Sequence, residues 1–446
     1  MNRLASRLFI GTVVTGAIAL PLAMAQKPAP APAPPPARAT DGVLDNASRM
    51  VDAGRDTFRN DTFGSEAFWA DTIQLHKAIA GEKLGGIGGG VSPKTALAVG
   101  LKVDAEKIPA ATAAAIKGGK VNLDDPATTL ALLKLDAVVG VKGTFDPQGK
   151  LTAVGIQCSL CHSTVDDSFA PGIGKRRDGW PNRDLDVGTI ISLAPNLAPV
   201  EKLLGVNNAT LKKVLTSWGP GRFDAEVFFD GKAMRPDGKS ASTLIPAAFG
   251  LAGVNMATYV GWGSITYWNA MVAVNEMHGV GRFFDARLAD KKKYPIAVKA
   301  KSYDTKPEAD RVTAKLGALH FYQLALPVPT PPAGSVDAQA VTRGGALFNG
   351  AAKCASCHVP PLYTEPGNNM HLPAEIGIDA FQANRGPVGR YRTTPLRGMF
   401  TKTKGGFYHD GRFATMPDVV EHYDRHFKLR LDAKQKADLA AFVMSL

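Results

Sequence analysis

Two short stretches, "QCSLCHS" at residues 157–163 and "KCASCHV" at residues 353–359, share the pattern Cys-x-x-Cys-His. All four cysteines of the 446-residue chain lie in them: Cys158, Cys161, Cys354 and Cys357. Two thiols at this spacing can form thioethers with the vinyl groups of one haem, and the histidine that follows presents its imidazole to the iron. The repeated pattern predicts two covalently bound haem c groups, with His162 and His358 as proximal ligands.

Other uses of paired cysteines fit these stretches less well. A thioredoxin-type redox pair does not need the histidine that follows each motif. Two structural zinc sites are the alternative, but each would need a fourth ligand and gains nothing from the repeated Cys-x-x-Cys-His order. The motifs therefore favour haem over zinc.

The N-terminus predicts export. Residues 1–25, "MNRLASRLFIGTVVTGAIALPLAMA", combine two arginines, an apolar run and an Ala-Met-Ala cleavage site, as a signal peptide does. An uncleaved anchor is the alternative, although the apolar run is short and broken for a stable membrane span. Residues 26–40 form a Pro/Ala-rich tether that we expect to be disordered. We therefore predict a periplasmic protein.

A Pro-rich break, "LPVPTPPAGSVD" at residues 326–337, separates the two motifs. It predicts an N-terminal haem c domain with insertions at 41–326, a linker at 327–336 and a C-terminal cytochrome c domain at 337–446. We expect an all-α fold of two cytochrome c-type haem domains, the first with large insertions. The first domain is far longer than one haem requires, which favours a role beyond electron transfer.

Helix signals are clear in the C-terminal domain. The stretch "AQAVTRGGALFNGAAKCASCH" predicts a helix that leads into the second motif. The last 14 residues follow Asp432, a good N-cap, and predict a closing helix. One stripe of this helix carries its apolar residues, Leu439, Phe442, Val443 and Leu446.

The formal net charge of +12 comes from scattered residues. It indicates a bias toward anionic partners or surfaces. No nucleic-acid-binding motif accompanies the charge, so we expect no nucleic acid as a partner.

Residues 390–427, "RYRTTPLRGMFTKTKGGFYHDGRFATMPDVVEHYDRHF", resemble the same region of bacterial di-haem cytochrome c peroxidases and their MauG-type relatives. The stretch "RGGALFNGAAKCASCH" is similar to the start of their second haem domain. The resemblance covers residues 337–446 and is patchy before them. It implies two all-α haem domains that face each other. One haem would store electrons and the other would reduce hydrogen peroxide, or use peroxide or oxygen to drive oxidations.

The resemblance also implies a distal ligand for the second haem, 14 residues beyond His409. That position is Tyr423, where the peroxidases have Met and the MauG-type proteins have Tyr. Met416, His422 and His426 are rival ligands, and Tyr423 could instead be a core tyrosine. Thr415 and Asp418 predict the start of this helix. One of its faces carries Met416, Val419, Val420, Tyr423 and Phe427.

For the first haem, "TYWNAMVAVNEMHGVG" at residues 266–281 is similar to the family's distal segment and places Glu276 at its catalytic glutamate. A carboxylate there could move a proton between peroxide oxygens. The family's Gln and Pro are replaced by Thr266 and Ala270, and its inter-haem Trp is not at the usual spacing; the nearest candidates are Trp262 and Trp268. Glu276 could equally be a surface residue, and His278 or His76 could close the first haem as a bis-histidine site.

These features predict a periplasmic di-haem c oxidoreductase that is peroxidase-like. Its substrate would be peroxide or a small molecule, and its electron donor a small cytochrome c or cupredoxin. The alternative is a di-haem electron-transfer cytochrome that serves a periplasmic dehydrogenase. A homodimer is compatible with the resemblance, although the sequence shows no dimer signature.

Overall fold

The computed structural model describes residues 42–446. The predicted signal peptide at residues 1–25 and the predicted tether at residues 26–40 lie outside the described part of the chain. Among residues 42–446, no helix combines the length and the apolar character needed to cross a membrane.

Seventeen α-helices form in the described chain. Thirteen precede the Pro-rich linker: α1 (Gly42–Asn60), α2 (Leu75–Ala80), α3 (Pro93–Ala98), α4 (Ala110–Lys117), α5 (Pro126–Lys134), α6 (Ser159–His162), α7 (Val187–Ser192), α8 (Ala198–Leu204), α9 (Asn208–Thr216), α10 (Val227–Asp230), α11 (Ile265–Met271), α12 (Pro295–Ala300) and α13 (Leu316–Ala325). Four follow it: α14 (Ala338–Asn349), α15 (Phe381–Arg385), α16 (Met416–Phe427) and α17 (Ala433–Ser445).

Shorter helical segments connect these helices. Two are π-helical, Ala67–Thr72 and Val272–Glu276. Seven are 3₁₀ turns: Glu82–Leu84, Ala105–Lys107, Ala286–Ala289, Thr313–Lys315, Cys354–Ser356, Pro373–Ile376 and Met399–Thr401.

Ten short strands form five two-stranded sheets in the described chain, all of them before the linker. Only one pair, β1 (Val103–Asp104) with β5 (Ile173–Gly174), is parallel. The antiparallel pairs are β2 (Val141–Phe145) with β3 (Leu151–Ile156), β4 (Ser163–Val165) with β6 (Arg176–Asp178), β7 (Arg222–Phe223) with β8 (Thr243–Leu244), and β9 (Phe283–Phe284) with β10 (Asp304–Thr305).

The expectation of an all-α fold is therefore wrong, and the fold is mixed α/β. The β2–β3 hairpin shows why. Its sequence, "VKGTFDPQGKLTAVGI", places two strand-forming runs on either side of an Asp-Pro turn, which is a hairpin signal that the sequence interpretation overlooked. The Asp146 carboxylate closes the turn by accepting hydrogen bonds from the backbone N–H groups of Gln148 (3.1 Å) and Lys150 (2.8 Å).

This hairpin leads directly into the first Cys-x-x-Cys-His motif. The N–H of Ile156, at the end of β3, donates to the Ser65 hydroxyl at 3.1 Å. The next N–H, of Gln157, donates to the carbonyl of Gly140 at 3.0 Å. The β2–β3 hairpin therefore fixes the position at which Cys158 enters its site.

Each half of the chain is closed by a close crossing of two helices. Helix α1 packs against α13, and α14 packs against α17. A Cβ atom added at Gly54 would lie 1.9 Å from the carbonyl oxygen of Ala318, and one added at Gly344 would lie 2.0 Å from that of Asp438. Both crossings therefore require glycine. Helix α17 begins at the predicted cap, because the Asp432 carboxylate accepts from the N–H of Gln435 at 2.8 Å.

Three apolar clusters form the core. The first draws on residues 69–245 and the third on residues 348–443. The second joins the two halves, because Ala383 and Tyr391 are buried in it together with Trp262 and Met271. Beside it, Arg385 of α15 forms buried ion pairs with Asp224 and Asp230, each at 2.8 Å. The segment around α15 thus docks the C-terminal half onto the first.

Candidate haem-binding sites

A cavity of about 390 Å³ lies within the third apolar cluster. One wall contains Cys354, Cys357 and His358 of the second motif, and another contains Met416 and Tyr423 of α16. The fold thus brings together all five residues that the sequence assigns to this site. The volume is in the range of cofactor and ligand sites, about 300–1,000 Å³.

Helix α16 turns its apolar face into this cavity. It begins with the predicted cap: the Thr415 hydroxyl accepts from the N–H of Asp418 at 3.3 Å, and the Asp418 carboxylate accepts from the N–H of Thr415 at 2.8 Å. The predicted shared face is confirmed. Its five members all line the cavity: Met416, Val419, Val420, Tyr423 and Phe427.

The imidazole of His358 is oriented by a backbone carbonyl. Its Nδ1 lies 3.1 Å from the oxygen of Tyr363, so an N–H at Nδ1 leaves the lone pair of Nε2 free. Burial lowers the pKa of His358 to about 4, which keeps the ring neutral. A neutral ring with a free Nε2 is the form that binds a metal ion.

Tyr423 faces a second tyrosine, Tyr408, that the sequence interpretation missed. Their ring centroids lie 6.2 Å apart. Burial raises the pKa of Tyr423 to about 12; the hydroxyl of Tyr408 opposes the rise, and the thiols of Cys357 and Cys354 add to it. Tyr408 immediately precedes His409 in "FYHDG", so its position in the sequence was a usable signal.

The remaining histidines near α16 have other partners. His422 Nε2 lies 2.9 Å from the carbonyl oxygen of Ile376, and His426 Nε2 lies 3.0 Å from that of Glu375. Neither is among the residues that line the cavity. His409 does line it and stacks on Tyr391 with centroids 5.1 Å apart. The carbonyl of His409 accepts from the N–H of Leu244, in the first half of the chain, at 2.7 Å.

The first motif lies on α6, between two apolar clusters. Cys161 packs against the first cluster and Cys158 against the second. His162 repeats the arrangement of His358: its Nδ1 lies 3.2 Å from the carbonyl oxygen of Pro246, and burial lowers its pKa to about 4. A following loop fixes the motif's backbone, since the N–H of Asn182 donates to the carbonyl of Cys161 at 2.9 Å.

Glu276 ends the second π-helical segment and faces the first motif. Both of its carboxyl oxygens are buried, and neither has a hydrogen-bond partner in residues 42–446. Burial raises the pKa of Glu276 well above its ordinary value, and the carboxylates of Glu226 and Asp224 add to the rise. Burial also raises the pKa of Cys161 to about 12, and Glu276 adds to that rise, so the two side chains lie within electrostatic range.

Three further residues that the sequence suggests for the first haem site have defined surroundings in the structure. His278 stacks on Phe68 with centroids 3.6 Å apart, and burial lowers its pKa to about 4. His76 is half-buried, and its Nδ1 has no hydrogen-bond partner in the described residues. Trp262 is fully buried and donates its indole N–H to Glu226 at 3.3 Å.

Both motifs suit haem c. Each presents two thiols and a neutral imidazole whose Nε2 is free, which is the donor set for two thioethers and one iron bond. A zinc site requires four converging ligands. In residues 42–446, the one metal-like grouping of such side chains is Cys357, Glu365 and His371, which omits His358.

No family model matches the chain. It is 28% identical to a cytochrome-c peroxidase of Pseudomonas sp. (strain SCT), over 23% of this chain and 39% of that protein. It is also 28% identical to the methylamine utilization protein MauG of Methylorubrum extorquens, over 23% of this chain and 33% of that protein. Both names agree with the resemblance found in the sequence.

The chain thus spans 39% and 33% of the length of these two relatives. Among solved structures, hydrazine synthase of Kuenenia stuttgartiensis aligns with a TM-score of 0.30 and 14% sequence identity, over 50% of this chain and 86% of that chain.

Proposed function

We propose that this protein is a periplasmic di-haem c oxidoreductase that acts on hydrogen peroxide, with a small cytochrome c or cupredoxin as electron donor. The observation that carries the proposal is the C-terminal cavity, where Cys354, Cys357 and His358 face Tyr423 and Met416. The similarity to a cytochrome-c peroxidase and to MauG supports it.

In the C-terminal site, Cys354 and Cys357 would bind a haem through thioether bonds, and His358 would bind its iron. A haem bound there supplies a one-electron redox centre whose potential depends on the axial ligand. Tyr423 and Met416, which line the same cavity, are the two candidates for a second ligand to that iron. A phenolate would lower the potential, and a thioether would raise it.

In the first site, Glu276 would act as the proton carrier. Its raised pKa favours the protonated, neutral form of the carboxyl group. No hydrogen-bond partner in the described chain holds that proton in place. Such a carboxyl can give a proton to one oxygen of a bound peroxide and accept one from the other, a contribution that is typically worth about 10²–10⁴ in rate.

A di-haem electron carrier is the second candidate function. It is favoured by His278, a buried and neutral imidazole two residues from Glu276 that could occupy the first haem's open side. That arrangement would leave no position for peroxide.

Two measurements separate these functions. Electron paramagnetic resonance of the oxidised enzyme should show one high-spin, five-coordinate haem. After stopped-flow mixing with hydrogen peroxide, Glu276→Gln should slow the absorbance change by about 10²-fold or more, while the control Glu82→Gln, at an exposed position of the same half, should not. Two low-spin haems that do not react with peroxide, even after half-reduction, would establish the carrier.

A further inference from the structure

Three cationic side chains lie together without an acidic partner. They are Arg183, which is buried, and Arg392 and Lys402, which line the C-terminal cavity. The guanidinium of Arg183 is buried beside the phenol of Tyr259 and has no carboxylate partner in residues 42–446. Nη1 of Arg392 is buried without a hydrogen-bond partner in the same residues. A buried charge without a counter-ion is strongly unfavourable, so such groups in proteins are ordinarily paired or bind a ligand.

The surroundings of this cluster do not neutralise it. Burial and the two guanidinium groups lower the pKa of Lys402 to about 7. The other groups that face the cluster are Tyr259, a phenol, and Arg222, a further cation. Arg222 itself donates to the carbonyl of Asp410 at 2.8 Å.

The cluster lies between the two Cys-x-x-Cys-His motifs. Arg183 directly follows Asn182, whose N–H donates to the carbonyl of Cys161 in the first motif. Arg392 and Lys402 share the cavity with Cys357 and His358 of the second. A ligand anchored at the second motif would share the cavity with Arg392 and Lys402, and Arg183 lies beside them within electrostatic range of Lys402.

We propose that Arg183, Arg392 and Lys402 form a buried anion site that receives the propionate carboxylates of the haem in the C-terminal cavity. The inference rests on the proposed function, because it requires a haem at the second motif. Thioethers and an iron bond anchor the haem through its vinyl groups and its centre, which leaves its two carboxylates in need of cationic partners. Guanidinium groups bind carboxylates through paired hydrogen bonds, and an ammonium group adds a point charge.

The test compares two lysines in the same segment. Lys402→Met removes the half-buried cation that lines the cavity. Lys404→Met removes an exposed lysine, two residues further along the chain, that pairs with Asp184. Each variant replaces one lysine with methionine, so the two differ in the position of the substitution and not in its chemistry. Potentiometric titration of the haem-loaded proteins, followed by visible absorption, measures both haem potentials.

A cation beside a haem favours the reduced state, so its loss should lower the potential of one haem in Lys402→Met. We expect a tenfold change in the reduction equilibrium, about 59 mV for one electron. Lys404→Met should keep both wild-type potentials. Arg392→Gln provides a second variant with the same expected direction, in case Lys402→Met does not fold.

Haem content, measured as pyridine haemochrome, distinguishes a failure of the proposed function from a failure of the anion site. A wild-type protein without two haems would end the proposed function. Two haems per chain with unchanged potentials in Lys402→Met and Arg392→Gln would overturn the anion site alone.

A free anion from solution could bind the same three cations as a propionate. A separate measurement therefore distinguishes the two. The wild-type potentials are therefore measured over a series of phosphate concentrations at constant ionic strength. We expect no dependence on phosphate, because the propionates are part of the haem. A saturable phosphate dependence that Lys402→Met abolishes would contradict the propionate assignment.

Discussion

At the scale of single residues, the histidines of the two motifs are oriented in the same way. His162 and His358 each direct Nδ1 at a backbone carbonyl, of Pro246 and Tyr363 respectively. Neither carbonyl is part of its motif, so the Cys-x-x-Cys-His spacing predicts which imidazole binds iron but not what orients it. For Glu276, likewise, the resemblance predicts its role as the catalytic glutamate. Only the fold shows that both of its carboxyl oxygens are buried without a hydrogen-bond partner in the described residues.

The choice between Tyr423 and Met416 can be tested directly. If Tyr423 is the ligand, Tyr423→Phe should raise the potential of one haem and change its absorption spectrum, because a phenolate stabilises the oxidised iron. Met416→Leu, a substitution of similar volume, should change neither. The opposite pattern, with the Leu variant altered and the Phe variant unaltered, would make Met416 the ligand.

The pH dependence of the peroxide reaction should report on Glu276. If Glu276 is the proton donor, its protonated form is the active one. Because its pKa is raised, activity should persist from acidic pH upward and decline as pH rises through that raised value. Glu226→Gln removes a neighbouring negative charge, which should move the declining limb to lower pH. The substituted amide can still accept the indole N–H of Trp262. An unmoved limb would show that another group is the acid.

At the scale of elements, prediction succeeded where the signals are local. Helices α16 and α17 begin at caps that are readable in a few residues, Thr415 with Asp418 and Asp432 with Gln435. The π-helical turn that ends at Glu276 has no such signal, because its widened backbone depends on packing. The β2–β3 hairpin also has a local signal, the Asp-Pro turn, which the all-α expectation did not take into account.

The α1–α13 crossing offers a matched pair of substitutions. Gly54→Ala would place a methyl group 1.9 Å from the carbonyl oxygen of Ala318 and should destabilise the protein by about 1–3 kcal/mol. Gly317→Ala, in the facing helix, would meet only Met50 at 3.6 Å. It should raise stability by about 0.5–1 kcal/mol, since alanine favours the helix. Denaturant unfolding measures both, and equal effects would contradict the close crossing.

At the scale of the whole molecule, the two halves are joined by contacts between residues far apart in sequence. Arg385 lies 155 residues from Asp230 and 161 from Asp224. The cation cluster likewise combines Arg183 with Lys402. Single-sequence patterns do not report such pairings, so the interface was outside what the sequence could predict. Arg392 differs from these residues, because it lies in the stretch at residues 390–427 that carries the family resemblance.

The Arg385 ion pairs should contribute strongly to stability. Arg385→Leu would leave the carboxylates of Asp224 and Asp230 buried without their partner, at a cost of about 3–5 kcal/mol in the free energy of unfolding. Arg425→Leu, which removes an exposed pair with Glu421, should cost less than about 1 kcal/mol. Guanidinium chloride unfolding of both variants measures the difference. Similar costs would mean that Arg385 does not hold the halves together.

We propose that each Cys-x-x-Cys-His motif carries one covalent haem. Pyridine haemochrome analysis of the purified protein tests it most directly. We predict two haems c per chain, and one in a variant with Cys354→Ser and Cys357→Ser. A ratio other than two in the wild type, or two haems retained without those cysteines, would contradict it.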